Sequence, residues 1–460
     1  MKLAELSDPN LLQSGIFPGF PPKAVPLWKD GRNIVTRRQG IERRGTKARA
    51  SSVSSGIITK LAQTRVSGTN RIYAGTADAI YSLAPSLSLL GSGLGGGNWS
   101  FAVWGSWLLA TNGIDPIKIW KNGGALDNLT GPSFTSAEIL VKRGTHLIAM
   151  NTSLGENRIE WCSSDDVEQW TESTTTSAGS QDLRDLDGPI KAGVPLGDKI
   201  AVYSRDSMLL VSYLGSPFWF AARPAINGVG AVSKNAVVTA LRKNFGLSQA
   251  GFFETDGVSF RYIDDQIKDW YHDTVNKAAL DKVVSWHNER KNEVIWHFPS
   301  GTADVPDIGV GYNYKTNAWD ILDFGVDAAA ERQVYDHALT SKNADIFFQE
   351  TVSGDSITGW IQTKPLALSA PQGGDLAGYW KFIDAILLDL SGTTSLDVYV
   401  GVSERMDETP TWSGPFTAST ASPWIYPRVS GVYISLKFSG TDAWALSGGE
   451  IHGDIAGRIA

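Results

Sequence analysis

Two adjacent carboxylate pairs, Asp165/Asp166 and Asp264/Asp265, are the first residues in this 460-residue chain that could do acid/base chemistry. Splitting a glycosidic bond takes two carboxyl groups that face one another across the bond. Neighbours on a strand point to opposite faces, so neither pair reads as a convergent dyad. The six histidines, His146, His272, His287, His297, His337 and His452, are scattered. His287 and His297 face across a hairpin if its register allows, but a metal needs three or four ligands and no third stands at useful spacing. Cross-strand packing beside Trp286 and Trp296 is the stronger reading. Cys162, the only cysteine, has no His or Cys-x-x-Cys partner in its neighbourhood and reads as a small core residue. The chain is therefore read as a non-enzyme, with no catalytic residue, metal or cofactor assigned.

Ser163, Asp165 and Trp170 stand at the offsets of the Ser-x-Asp-x-Gly-x-Thr-Trp turn found in propeller glycosidases, with Val167 and Gln169 in place of the Gly and Thr. Such a turn is structural: the Asp accepts backbone N–H groups and the Trp packs between blades. A basic cluster, Arg37, Arg38, Arg43, Arg44, Lys47 and Arg49, is a candidate contact with nucleic acid, DNA included, or with an acidic partner surface. The competing reading is a solvated loop. GSGLGGG at 91–97 lacks the Lys-Ser/Thr of a phosphate-binding loop and reads as a linker between blades.

These residues must be carried by strands. Forty-eight glycines, 17 tryptophans and only 19% charged residues favour many short strands and tight turns. In VVSWHNERKNEVIWHF, 283–298, two runs of β-branched and aromatic residues flank a polar knot, which predicts an antiparallel hairpin. GVGYNYKTNAW, 309–319, repeats the formula, so four strands fall within roughly forty residues, the size of a propeller blade. Similar units stand at 71–83, 100–120, 138–162, 199–214 and 250–263. The expected fold is all-β: a β-propeller of about six blades, within a range of five to seven, over 51–360, then a β-sandwich over 361–460. Residues 1–50 are expected as an extended N-terminal arm with a first strand, because 17–26 carries four prolines. Pro365 and 371–374 mark the second boundary.

No apolar run approaches the roughly 20 residues needed to span a bilayer, and a soluble product made in the cytoplasm is expected. A net charge of −7 argues against a surface that grips nucleic acid throughout.

Several stretches taken in order, WKDGRN (28–33), RIEWCSSDDVEQWT (158–171), NGVGAVSKNAVV with GFFETDGVSFRYIDDQI (227–267), the 283–319 hairpins and GVYISLKFSGTDAWALSGGEI (431–451), resemble the tail nozzle proteins of short-tailed bacteriophages. That family includes tail tubular protein B and the phage stabilisation or tail-hub proteins. The resemblance implies a structural virion protein that forms a homo-hexameric ring below a portal or adaptor ring. Such a ring retains the packaged genome and passes double-stranded DNA at ejection, with tail fibres or a tip protein as further partners. The alternatives are a receptor- or glycan-binding tail module and a propeller glycosidase.

Overall fold

The computed structural model describes residues 1–37, 40–54, 56–351, 353–368, 377–392 and 395–458. Seven four-stranded antiparallel sheets make a closed propeller. Blades 1 to 6 are local in sequence, at 58–92, 100–128, 137–182, 192–227, 237–262 and 284–322. Each meanders outward from its first strand, and the seven first strands stand side by side around the axis. Blade 7 takes three strands from 328–351 and its outermost strand, Thr46–Ser52, from ahead of blade 1. Pairing of Phe348 with Ala48 and of Ile346 with Ser51 thereby closes the ring with backbone hydrogen bonds. A strand from ahead of the first blade thus completes the last one and ties the two ends of the propeller together.

Blade 6 is the predicted pair of hairpins. Strands Val284–Asn288 and Glu293–Phe298 pair in register, with Asn292 at φ 57° turning the chain, and Ile308–Asn313 and Ala318–Leu322 follow. Every residue of Glu293–Phe298 is buried, since both blade faces are covered by neighbours. The tryptophans act as spacers between blades. The Trp296 and Trp319 indoles donate to Ala236 O at 3.1 Å and Ile263 O at 2.7 Å, on either side of blade 5, and Trp99 donates to Thr76 O of blade 1. Phe252 of blade 5 packs on Trp296, Trp319 and Tyr271 with ring centroids 4.8–5.1 Å apart. The indole N–H of these three is thus satisfied while the ring fills the wedge, the usual requirement for burying Trp. Glycine makes room at one such contact: a side chain at Gly75 would begin 2.5 Å from the Trp99 ring.

Two further sheets form the sandwich. One holds Ile34–Arg37, Gly40–Arg43, Ala445–Arg458, Tyr379–Ser391 and Trp424–Ile425, with Lys2–Glu5 and Val429–Gly431 on its flanks. The other holds Trp28–Arg32, Gly359–Thr363, Tyr433–Gly440, Leu396–Ser403 and Thr411–Ala418. Val432, Ile434, Leu436 and Phe438 are wholly buried, as their alternation predicts. Among the described residues, 1–37 and 40–43 are therefore not an extended arm: four of their strands complete the sandwich sheets, and 13–27 is a long stretch without regular structure between them. The division read at residues 50 and 360 differs accordingly, because strand pairing reaches across more than 300 residues, which local composition does not register. The 371–374 boundary signal lies outside the described residues.

Candidate functional site

The predicted basic cluster is not one surface. It lies where the chain leaves the sandwich and enters blade 7, and that crossing buries two of its members. The Arg44 guanidinium is 1% exposed and meets Glu293 through two hydrogen bonds of 3.0 and 3.1 Å, with Glu350 at 3.0 Å from the same nitrogen. Asn288 donates to Glu293 and Glu350, and Thr36 to the buried Asp320 nearby. Burial works against the Arg44 charge, but Glu293 and Glu350 more than offset it and hold the group above its ordinary range. Burial pushes the Glu293 carboxyl up, and burial followed by Glu293 pushes Asp320 well above the usual carboxylate range. Arg43 is also buried and donates to the carbonyls of Asp442, Arg44 and Ile357. Lys47 lies over the Phe347 ring at 4.7 Å. Arg49 is exposed and paired with Asp345, and Arg37 is exposed and paired with Glu42. Arg38 lies outside the described residues. The members are split among three strands, Arg37 ending Ile34–Arg37, Arg43 ending Gly40–Arg43 and Lys47 and Arg49 in Thr46–Ser52, with Arg44 in the crossing between the last two.

What remains of the basic surface gathers elsewhere. Arg37 joins Arg290, Lys291 and Lys315 around a cleft of about 590 Å³ between the 34–43 hairpin and the turns of blade 6. Glu42 balances Arg37 and Lys291 there, the latter at 2.5 Å, and Asp336 stands 3.6 Å from Arg290. Lys315 has no ion-pair partner among the described residues. The turn residues of blade 6 were passed over at the sequence level because they read as an ordinary polar knot.

The Ser163–Trp170 turn is structural. Ser163 N donates to Gln169 O at 2.7 Å, and Asp165 sits at φ 58° with its N–H on Thr145 O. The carboxylate that accepts a backbone N–H is that of Asp166, from Glu168, not that of Asp165. Trp170 packs edge-on to Phe134, with centroids 5.4 Å apart, in the apolar cluster that joins blades 2 and 3. The glycine-rich stretch at 91–97 is pinned between blades 1 and 2: Asp115 accepts Gly95 N at 2.7 Å and Asn112 donates to Gly96 O.

The histidine and carboxylate candidates do not assemble. In the hairpin register His287 opposes Val294 and His297 opposes Val284. His287 bonds Tyr314, and the fully buried His297 bonds Phe324 O, with its pKa pushed down to about 3 by burial. Asp264 is buried and accepts Phe252 N, while Asp265 faces solvent. Burial pushes the Cys162 thiol up to about 12. No group of three or more metal-ligating side chains is found among the described residues.

The propeller axis holds the polar groups that sequence spacing could not bring together. A cavity of about 520 Å³ runs between the innermost strands and receives Lys60, Lys234, Asn235 and Glu331 from blades 1, 5 and 7 or the turns ahead of them. Lys234 is fully engaged by Asn98 O and by Glu138, at 3.1 Å. Lys60 donates to Asn235 Oδ1 at 3.3 Å.

No helix among the described residues is long and apolar enough to cross a membrane. No protein-family model matches the chain, and no curated protein matches it. Among solved structures it is similar to the extracellular domain of BT4673 from B. thetaiotaomicron, at TM-score 0.46 and 9% identity over 69% of this chain and 45% of that one. It is also similar to PorZ, a surface component of the type-IX secretion system of Porphyromonas gingivalis, at TM-score 0.42 and 8% identity over 72% of this chain and 40% of that one. The computationally designed Ika8 protein is a third, at TM-score 0.38 and 13% identity over 66% of this chain and 99% of that one. This chain thus spans less than half the length of the two natural proteins.

Proposed function

We propose that this chain is a structural virion protein, the subunit of a tail nozzle or hub ring that sits below the portal or adaptor of a short-tailed bacteriophage. In this reading six copies enclose a channel that retains the packaged genome and passes double-stranded DNA at ejection without reading its sequence. The observation that carries the reading is the buried Arg44 junction, which fastens a closed propeller to a sandwich so that each copy is one stiff wall segment. Subunits close into a ring only when the rotation between them is fixed, and a stiff segment fixes it. The order of the nozzle-like motifs along the chain supports the same reading. Exposed Tyr213, Leu214 and Phe218 at the tip of blade 4, and Tyr426 on the sandwich, offer apolar surface for neighbouring copies to cover. A net charge of −7 would keep DNA from adhering to the wall.

The structure refines which basic residues test the proposal. Arg37, Arg49 and Lys315 are exposed, so replacing all three with Ser leaves the fold intact. Expected are particles that fail to complete their tails or lose their genome. Particles with full infectivity would contradict the assignment of these residues to ring or DNA contacts.

A further inference from the structure

Lys60 and Glu331 are each half-buried at the propeller axis, and an ammonium group drawn even partly out of water costs free energy unless an anion or several acceptors surround it. Lys60 reaches the axial cavity with three N–H donors and uses one of them, on the neutral amide oxygen of Asn235. No carboxylate lies within ion-pair reach of Lys60 among the described residues. Its cationic neighbour Lys234 is already neutralised by Glu138. Glu331 faces the same cavity without an ion-pair partner among the described residues, close enough to Lys60 for the two to feel each other but too far to bond. The Asn235 amide nitrogen is a further donor at the cavity, which it shares with a vestibule of about 430 Å³ near Lys282 and Asp304. Burial and then Lys234 bring the Lys60 pKa down to about 8, still on the charged side at neutral pH.

We propose that the propeller axis is a binding site for a small oxyanion, a carboxylate or phosphate group, held by Lys60 and the Asn235 amide. The cavity is within the size range of small-molecule sites, and its walls are about evenly polar and apolar, with Lys60, Lys234, Asn235 and Glu331 among the polar groups that face it. Glu331 sets the selectivity: its carboxyl is pushed up to about 7 by burial, and in its ionised form it repels a second negative charge, so above neutral pH a monoanion is preferred to a dianion. The site does not depend on the nozzle reading, because the genome channel of a ring lies between copies and not along a propeller axis.

Titration calorimetry of the full chain with acetate and, separately, with inorganic phosphate tests the proposal and distinguishes the two sources of the oxyanion. Binding of either is expected, weakened at least about tenfold in Lys60→Met. Glu331→Gln is expected to tighten binding several-fold, and this opposite sign keeps the test decisive should Lys60→Met fail to fold. Absence of binding by both anions, or affinities indifferent to Glu331→Gln, would overturn the proposal.

Discussion

Arg44 and Glu293 meet edge to edge, two hydrogen bonds deep in a junction where neither side chain is more than 2% exposed. One residue precedes the whole propeller and the other sits in its sixth blade, so this contact ties the sandwich crossing to the ring. Removing one partner of such a pair strands the other as a buried charge, which costs about 3–5 kcal/mol. Arg44→Met should therefore lower stability by that amount in urea unfolding. Arg44→Lys should recover little of it, since an ammonium cannot make the paired contact.

His297 predicts an acid limb of the stability profile. Its folded pKa of about 3 lies below the unfolded value near 6.5, so between these limits the unfolded chain binds a proton that the folded chain refuses. The contribution is fully present above pH 6.5 and is lost as pH falls, at about 1.4 kcal/mol per unit. His297→Gln should flatten the unfolding free energy between pH 6.5 and 4.5 by that slope. An unchanged slope would mean that the imidazole protonates in place.

The two halves of the Ser163–Trp170 turn should separate on mutation. Trp170→Ala opens the seam between blades 2 and 3 and should cost about 3–5 kcal/mol by thermal or denaturant unfolding. Asp165→Gly, at a positive φ with its carboxylate in solvent, should cost less than about 1 kcal/mol. A catalytic or binding role for Asp165 would instead show as lost function without lost stability.

Ring closure rests on Thr46–Ser52. A chain beginning at residue 53 lacks that strand, together with the four sandwich strands that precede it, and leaves Asp345–Thr351 as a bare edge. It should aggregate or be cut by protease within blade 7, while the full chain resists. Equal protease resistance of the two would show that the seventh blade closes without its fourth strand.

Six blades were legible because each repeats strand, turn, strand within about forty residues, with Gly, Asn or Asp at the turns. The seventh was not. Its inner strand is Ala328–Ala330, with neither aromatic nor β-branched residues, and its outer strand pairs across nearly 300 residues of sequence, Ile346 with Ser51. The sandwich face at 432–438 was visible from strict alternation, but the partnership of its sheets with residues 2–43 was not, because pairing partners leave no trace in a single sequence. For the same reason the basic cluster read as one patch, when Arg44 was the member with two carboxylates waiting in distant blades. Lys60 and Glu331 face one cavity only because seven inner strands converge, so their site had no signal in spacing.

Electron microscopy of the purified protein mixed with the portal complex of its particle tests the central claim most directly. The account predicts a sixfold collar seated on the portal, with a continuous channel wide enough for duplex DNA. Single propellers that never join the portal, or that bind a surface glycan instead, would contradict it.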